Sequence, residues 1–404
     1  MNLAKLRYAP EFRVHIDGEP IPAALRASIS SVNYQTGIEG SDRVELILVN
    51  ERRRWLDHKL LSLGRELKLE IGYAPDPLQQ VFVGDIVAQS ASFPSSGVPS
   101  LTVVAQDRIE RLQRGMTRPR LFAVELPSVG FRALPDPAIA ILVSLENGLL
   151  PMIETVGAVL AAVLGVKALG SLVFPSWAQK SVRKQVKQSD FELLQCIARE
   201  NGFEMMIDHE GSLGGKKLRF MSLLNRITPE VTLQYGRSLI EFTPRISDVG
   251  QIVSITAFVW LAPIKTDFTV TLGWDWDKFA LTLDVRPGVT PIEKRRSHYL
   301  IEEPVSLITA PEKLVSELIP RLNKRLTGSG STVGDPKIRA GTVLRLKGLG
   351  VQFGGLYRVT SATHSIDSGG YRTSFEVRKE IWFGKIPLFE QGALPIDVSA
   401  SVIS

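Results

Sequence analysis

Cysteine is almost absent from this chain: Cys196 stands alone among 404 residues. No intrachain disulfide can form, and no cysteine-built zinc site can be assembled from one chain. Histidine is scarce as well. His15, His58, His209, His298 and His364 are the five present, and no two are spaced i,i+4, which excludes the helical zinc-hydrolase pattern. The N-terminus carries Lys5 and Arg7 but no apolar core of signal-peptide length follows, so Sec export is not expected and the chain reads as one folded in a reducing cytoplasm. A formal charge of only +6 is too thin a surplus for a dedicated nucleic-acid binder, where Lys and Arg gather on one face.

What is present is ordinary globular material: 44% apolar and 22% charged residues. At roughly 100–200 residues per domain, the length predicts two or three packed units. The first part alternates with a period of two. Phe12, Val14 and Ile16 interleave with Arg13, His15 and Asp17, and Leu67, Leu69 and Ile71 interleave with Lys68 and Glu70. Residues 81–87 and 100–105 flank a Pro94-Ser95-Ser96-Gly97 turn and predict a hairpin. Several short strands at this spacing favour a barrel or a sandwich.

The middle changes character. A short helix is predicted from Pro137 to Leu150. Residues 155–179 then contain one charge, Lys167, between two charge-free stretches too short to cross a bilayer singly at about 20 residues. The first reading is a helical insertion buried in an oligomer, the second a membrane-contacting segment. Ser189 with Glu192 is a capping-box spacing that opens a helix with Phe191, Leu194, Ile197 and Ala198 on one face and a stop at Gly202. Strands 203–207 and 217–221 follow, joined through the polar run 208–215. From 231 onward β alternation returns. Thr309 and Glu312 predict a helix kinked by Pro320, Gly328-Ser329-Gly330-Ser331 reads as a flexible connector, and a last β block spans 341–378.

Catalytic patterns are missing. Asp208-His209-Glu210 has the composition of a small site, but a polar run before Gly211 reads as a solvated turn, and neighbours in a strand point to opposite faces. Gly348-Leu349-Gly350 lacks the third glycine and the helix of a dinucleotide loop. The basic groups Arg108, Arg111, Arg114, Arg118 and Arg120, and Lys180, Arg183, Lys184 and Lys187, have no interleaved aromatics for base stacking and read as solvated or inter-subunit ion-pairing faces.

In order along the chain, several segments resemble one family. They are residues 12–18 (FRVHIDG), 63–67 (LGREL), 81–86 (VFVGDI), 105–112 (AQDRIERL), 187–202 (KQSDFELLQCIARENG), and 336–378 with Arg339-Ala340-Gly341, Phe353-Gly354-Gly355-Leu356-Tyr357 and Gly370-Tyr371-Arg372. The family is the baseplate hub of contractile tails, the phage late control D proteins, similar to the hub portion of type VI secretion VgrG spikes. The resemblance implies an α+β, mainly β chain. A first tube-like β-barrel would occupy 1–115, a helical or α+β middle 116–222 with the apolar insertion 155–179, a second barrel 223–385 with an inserted helix 309–327, and a tail 386–404. It implies a homotrimer forming a pseudo-sixfold ring that adapts a sixfold tail tube to a threefold spike and helps start tube assembly. Implied partners are a separate central spike protein, a tail tube or tube-initiator protein, and baseplate wedge or LysM-type proteins, with no nucleic acid and with membrane contact through 155–179 as an option. It implies assembly in the bacterial cytoplasm as part of a phage tail or injection particle, with no enzymatic activity and no catalytic, cofactor-binding or metal-binding residue. The alternative expectation is a peptidoglycan- or membrane-acting component of such a particle.

Overall fold

A computed structural model describes residues 9–38, 40–114, 119–126, 130–154, 182–222, 228–247, 254–261, 266–275, 280–288, 298–305 and 310–380. The apolar insertion 155–179, Thr309 and the tail 386–404 lie outside the described residues. Among the described residues, no helix is long and apolar enough to cross a membrane.

The chain is mainly β. Alternating side chains fix one buried face on each N-terminal strand, as in Glu66–Ala74, where Leu67, Leu69 and Ile71 are buried and Lys68 and Glu70 are not. These strands pair in the order Ile29–Gly37, Arg43–Val49, Ser100–Gln106, Gln79–Ser92, Glu66–Ala74, Ala9–Ile16. The predicted hairpin is present, Gln79–Ser92 running antiparallel to Ser100–Gln106.

The sheet does not stop there. Strand Gly355–Asp367 pairs directly with Ile29–Gly37, from Ser361↔Gly37 to Ile366↔Val32, and carries Gly370–Arg378, Leu326–Val333 and Leu239–Ile246 on its far side. The two β blocks therefore form one open sheet of 13 strands; among the described residues the pairing does not close into a barrel. They also share a core, since Ile366 and Tyr371 pack with Phe12, Leu69 and Phe82.

The stretch expected as a Gly-Ser connector is an interior strand of this sheet, Leu326–Val333, flanked by Leu239–Ile246 and Gly370–Arg378. Its glycines leave room for rings from the neighbouring strands. A Cβ at Gly328 would lie 2.7 Å from Phe242 Cζ, and one at Gly330 would lie 2.9 Å from Phe375 Cζ. Composition suggested flexibility; cross-strand aromatics explain it as packing.

The middle unit has its own core around Ile139, Val143, Leu194, Ile197 and Phe220. Helix Asp190–Glu200 starts on the predicted capping box: Ser189 Oγ accepts from Glu192 N at 3.1 Å, and Glu192 Oε2 accepts from Ser189 N at 2.7 Å. Its buried face is Leu193, Leu194, Ile197 and Ala198, with Phe191 only partly buried. Helix Asp136–Glu146 packs beside it, and the hairpin Phe203–Asp208 with Lys217–Ser222 completes the layer. A separate four-stranded sheet, in the order Ala280–Pro287, Thr266–Asp275, Ser254–Leu261, His298–Val305, carries helix Ala310–Leu322, with Pro320 inside it.

Two substitutions test this packing. Gly330→Ala is expected to lose about 1–3 kcal/mol through forced overpacking against Phe375. It should lower the guanidinium midpoint with an unchanged slope. Glu380→Gln removes the carboxylate from the fully buried Arg358, which holds Glu380 through Nε–Oε1 at 2.6 Å and Nη2–Oε2 at 2.9 Å. A stranded buried charge is expected to destabilise by about 3–5 kcal/mol in the same measurement.

Candidate assembly site: a buried junction and an apolar face

The hairpin of the middle unit is where three parts of the chain meet. Its tip was expected to be a solvated turn, yet His209 is only 3% exposed. The ring lies 5.3 Å from that of Phe82, its Nδ1 accepts from Val83 N at 3.1 Å, and its Nε2 is 3.2 Å from Asp42 Oδ2. The Gln80 side-chain amide donates to the His209 carbonyl. Asp208 and Glu210 point elsewhere: Asp208 Oδ1 accepts from Glu210 N, and the exposed Glu210 pairs with Arg339 from the C-terminal part. The solvated-turn expectation fails at His209, which is polar because it docks on polar groups of another segment, while Glu210, Gly211, Ser212 and Leu213 do face water.

Behind His209 sit two buried carboxyls. Asp42 accepts from Tyr34 Oη at 2.9 Å and from Gly37 N at 3.1 Å. Asp107 accepts from Ser41 Oγ at 2.7 Å and from the backbone amides of Asp42 and Ile109, each at 3.0 Å. Burial, and then the neighbouring Asp42 charge, push the Asp107 carboxyl up to about 7, with His209 opposing them. Burial and then Asp42 also raise Tyr34, keeping its phenol a donor.

One potential ligand atom from each of Asp42, Asp107 and His209 lies within 4.8 Å of the others. The hydrogen bonds argue against a metal centre. Because Nδ1 accepts the Val83 amide proton, the imidazole proton sits on Nε2, the atom that faces Asp42 and would have to be bare to bind a metal. The carboxylate oxygens are likewise engaged by donors. The chemistry of the cluster is that of a clamp.

A second anchor holds the start of the hairpin. Arg378 Nη2 reaches Glu204 Oε1 at 2.5 Å and Glu380 Oε1 at 3.2 Å, so one guanidinium ties the last described strand to the middle unit. Burial raises the Glu204 carboxyl against the lowering effect of Arg378. His364 and Tyr371 are core residues. His364 stacks on Tyr34 with ring centroids 5.4 Å apart, its Nδ1 faces Tyr371 Oη at 2.8 Å, and burial lowers it to about 4.

The basic groups are largely spoken for within the chain. Arg108 pairs with Glu66, Arg111 with Asp85, Arg114 with Glu110 and Arg120 with Glu146. Arg183 pairs with both Asp136 and Glu200, whereas Lys184 and Lys187 are exposed. Arg118 and Lys180 lie outside the described residues. The middle unit also exposes an apolar patch beside these charges. Ile141, Leu142 and Leu145 are 41%, 40% and 53% accessible on a helix whose opposite face is already buried, and Leu150, Met152 and Leu121 are open nearby in the fold. An apolar stripe left open on a packed helix is the kind of surface that interaction sites carry.

No protein-family model matches this sequence, and no curated protein matches it. Solved structures do. The fold is similar to that of the 43 kDa tail protein of prophage MuSo2 from Shewanella oneidensis, at 13% identity and a TM-score of 0.56, covering 91% of this chain and 98% of that one. It is similar to a tail protein from Neisseria meningitidis MC58 at 10% identity and a TM-score of 0.57, covering 92% and 97%. A third is the Escherichia coli c3393 protein, a component of the type VI secretion system described as structurally similar to T4 bacteriophage tail proteins gp27 and gp5. There the identity is 10%, the TM-score 0.55, and the coverage 90% of this chain and 76% of that one. The likeness is one of fold across almost the whole chain.

His209 is the junction residue to substitute. His209→Ala strands the Val83 amide and is expected to cost about 1–3 kcal/mol. His209→Asn places an oxygen near the Nδ1 position, so native-state hydrogen exchange should keep the Val83 amide protected in that variant and not in the alanine one.

Proposed function

We propose that this chain is a structural baseplate hub of a contractile phage tail or tail-like injection system, acting without catalysis. The observation that carries the reading is the fold shared over nine-tenths of the chain with phage tail proteins and a type VI secretion component. In this reading three copies form the ring that joins a sixfold tail tube to a threefold spike. Residues 1–115 and 223–385 supply the tube-forming parts, and 116–222 supplies contacts to neighbours. The spike is a separate chain, and tube, wedge and LysM-type baseplate proteins bind the remaining faces.

Two features of the molecule support a scaffold over an enzyme. Its best-formed polar cluster is closed by its own hydrogen bonds, leaving no free base or nucleophile in it. The outer face of helix Asp136–Glu146, with Ile141, Leu142 and Leu145 exposed, is apolar, which suits an obligate interface. The mechanism is geometric: a rigid sheet holds the hairpin, the hairpin orients the middle unit, and the middle unit presents its apolar helix to a neighbour.

Native mass spectrometry of the purified chain is expected to give three times the mass of one chain, and Leu145→Lys is expected to weaken that trimer at least tenfold. A monomer that clears cell-wall suspensions would instead establish the peptidoglycan-acting alternative.

A further inference from the structure

Three consecutive arginines stand apart from the other basic groups. Arg52, Arg53 and Arg54 are exposed in the loop between Arg43–Val49 and Glu66–Ala74, and among the described residues none of them pairs with a carboxylate. The loop is firmly anchored all the same. Asn50 Oδ1 accepts from Trp55 N at 2.9 Å, the buried Trp55 donates through Nε1 to Ser28 Oγ at 2.9 Å, and the Arg54 guanidinium lies 4.7 Å from the centre of the Trp55 ring. Arg52, at φ 53° and ψ 18°, and Arg53, at φ 57°, both sit in the left-handed region. Holding a residue with a Cβ there costs roughly tenfold in the folding constant. Two adjacent residues bear that cost, and their guanidiniums gain no ion pair within the chain to offset it.

The turn 93–99 lies against the root of this loop, for Asn50 N donates to Pro99 O at 2.8 Å and Val49 pairs with Ser100. Phe93 and Val98 are 58% and 50% exposed on that turn, and Val49 is open beside them. Arginine next to exposed apolar and aromatic side chains is the composition of a protein interface. Each guanidinium fork matches a carboxylate through two parallel hydrogen bonds. Glu51 and Asp57, exposed in the same loop, interrupt the positive charge. An anionic bilayer or a phosphate backbone favours an unbroken basic cluster. A protein segment can instead match the alternating signs one residue at a time.

We propose that the Arg52–Arg54 loop and the turn 93–99 form a docking surface for an acidic segment of another protein. Its carboxylates meet the three guanidiniums, and an apolar side chain of the segment packs on Phe93 and Val98. The anchored, left-handed backbone presets the arginines, so that less ordering is left for the binding step. This surface uses none of the residues of helix Asp136–Glu146, and docking on it is separable from trimer formation.

Fluorescence anisotropy on the full chain tests this with a labelled glutamate-rich peptide that carries two phenylalanines. The peptide is expected to bind wild type, and the triple variant Arg52→Gly, Arg53→Gly, Arg54→Gln is expected to bind it at least tenfold more weakly. Phe93→Ser is expected to weaken it severalfold. Glycine enters the left-handed region without a Cβ penalty, so the triple variant should keep a denaturant midpoint at or above that of wild type. In native mass spectrometry it should give the same assembly mass as wild type, which separates lost docking from lost assembly. No binding by wild type, or equal binding by the triple variant, would overturn the proposal. Equal affinity for a polyglutamate without phenylalanine would reduce the surface to unspecific ion attraction and overturn it too. Tighter binding to phosphatidylserine vesicles would assign the surface to a membrane, and a smaller assembly mass for the triple variant would assign it to a second copy of this chain; either result rejects the separate acidic partner.

Discussion

Six residue pairs between Ile29–Gly37 and Gly355–Asp367 hold the architecture together. They join segments more than three hundred positions apart, as in the Ser365 hydroxyl donating to Asn33 across 332 positions. Bringing such segments together costs about 5 kcal/mol in loop-closure entropy on the Jacobson–Stockmayer form. A ladder of backbone bonds, the stacked Tyr34 and His364 rings and a shared apolar core offset it. With that seam closed, the ground on which the hairpin docks exists, because Asp42 and Val83 lie on one side and Arg339 on the other.

The hairpin then converts a sheet into a scaffold with a fixed third part. His209 and Glu210 engage opposite sides of the seam, and Glu204 receives Arg378 near the other end of the hairpin. The His209 and Glu204 contacts are buried, so each is specific in geometry and strongly penalised when one member is removed, whereas the exposed Glu210–Arg339 pair adds little. Apolar packing alone would tolerate sliding of the hairpin; the charge and hydrogen-bond pattern does not.

Local order was legible in the sequence and long-range pairing was not. Period-two alternation located the N-terminal strands, because a half-buried strand writes its orientation into side-chain polarity. The capping box at Ser189 was readable for a similar reason: its partners are three residues apart. The role of His209 left no such mark, since Val83 and Asp42 are 126 and 167 positions away. Strand Leu326–Val333 was misleading, because the rings that account for Gly328 and Gly330 belong to Phe242 and Phe375 on other strands. Tube-like barrels suggested by the family resemblance meet an open sheet here, for alternation reports which face is buried and says nothing about which edge pairs with which. The arginine-rich run shows the same limit, its carboxylate partners Glu66, Asp85 and Glu146 being scattered through the chain.

The seam also sets a timetable for synthesis. Strand Ile29–Gly37 leaves the ribosome long before Gly355–Asp367 has been translated. At about 5–20 residues per second the wait is on the order of tens of seconds. Throughout it, the N-terminal strands present a bare edge able to add a strand from any neighbouring nascent chain. Newly made copies crowded on one message are therefore at their most vulnerable before the last quarter of the chain emerges, and the cell's holding chaperones have a defined edge to guard.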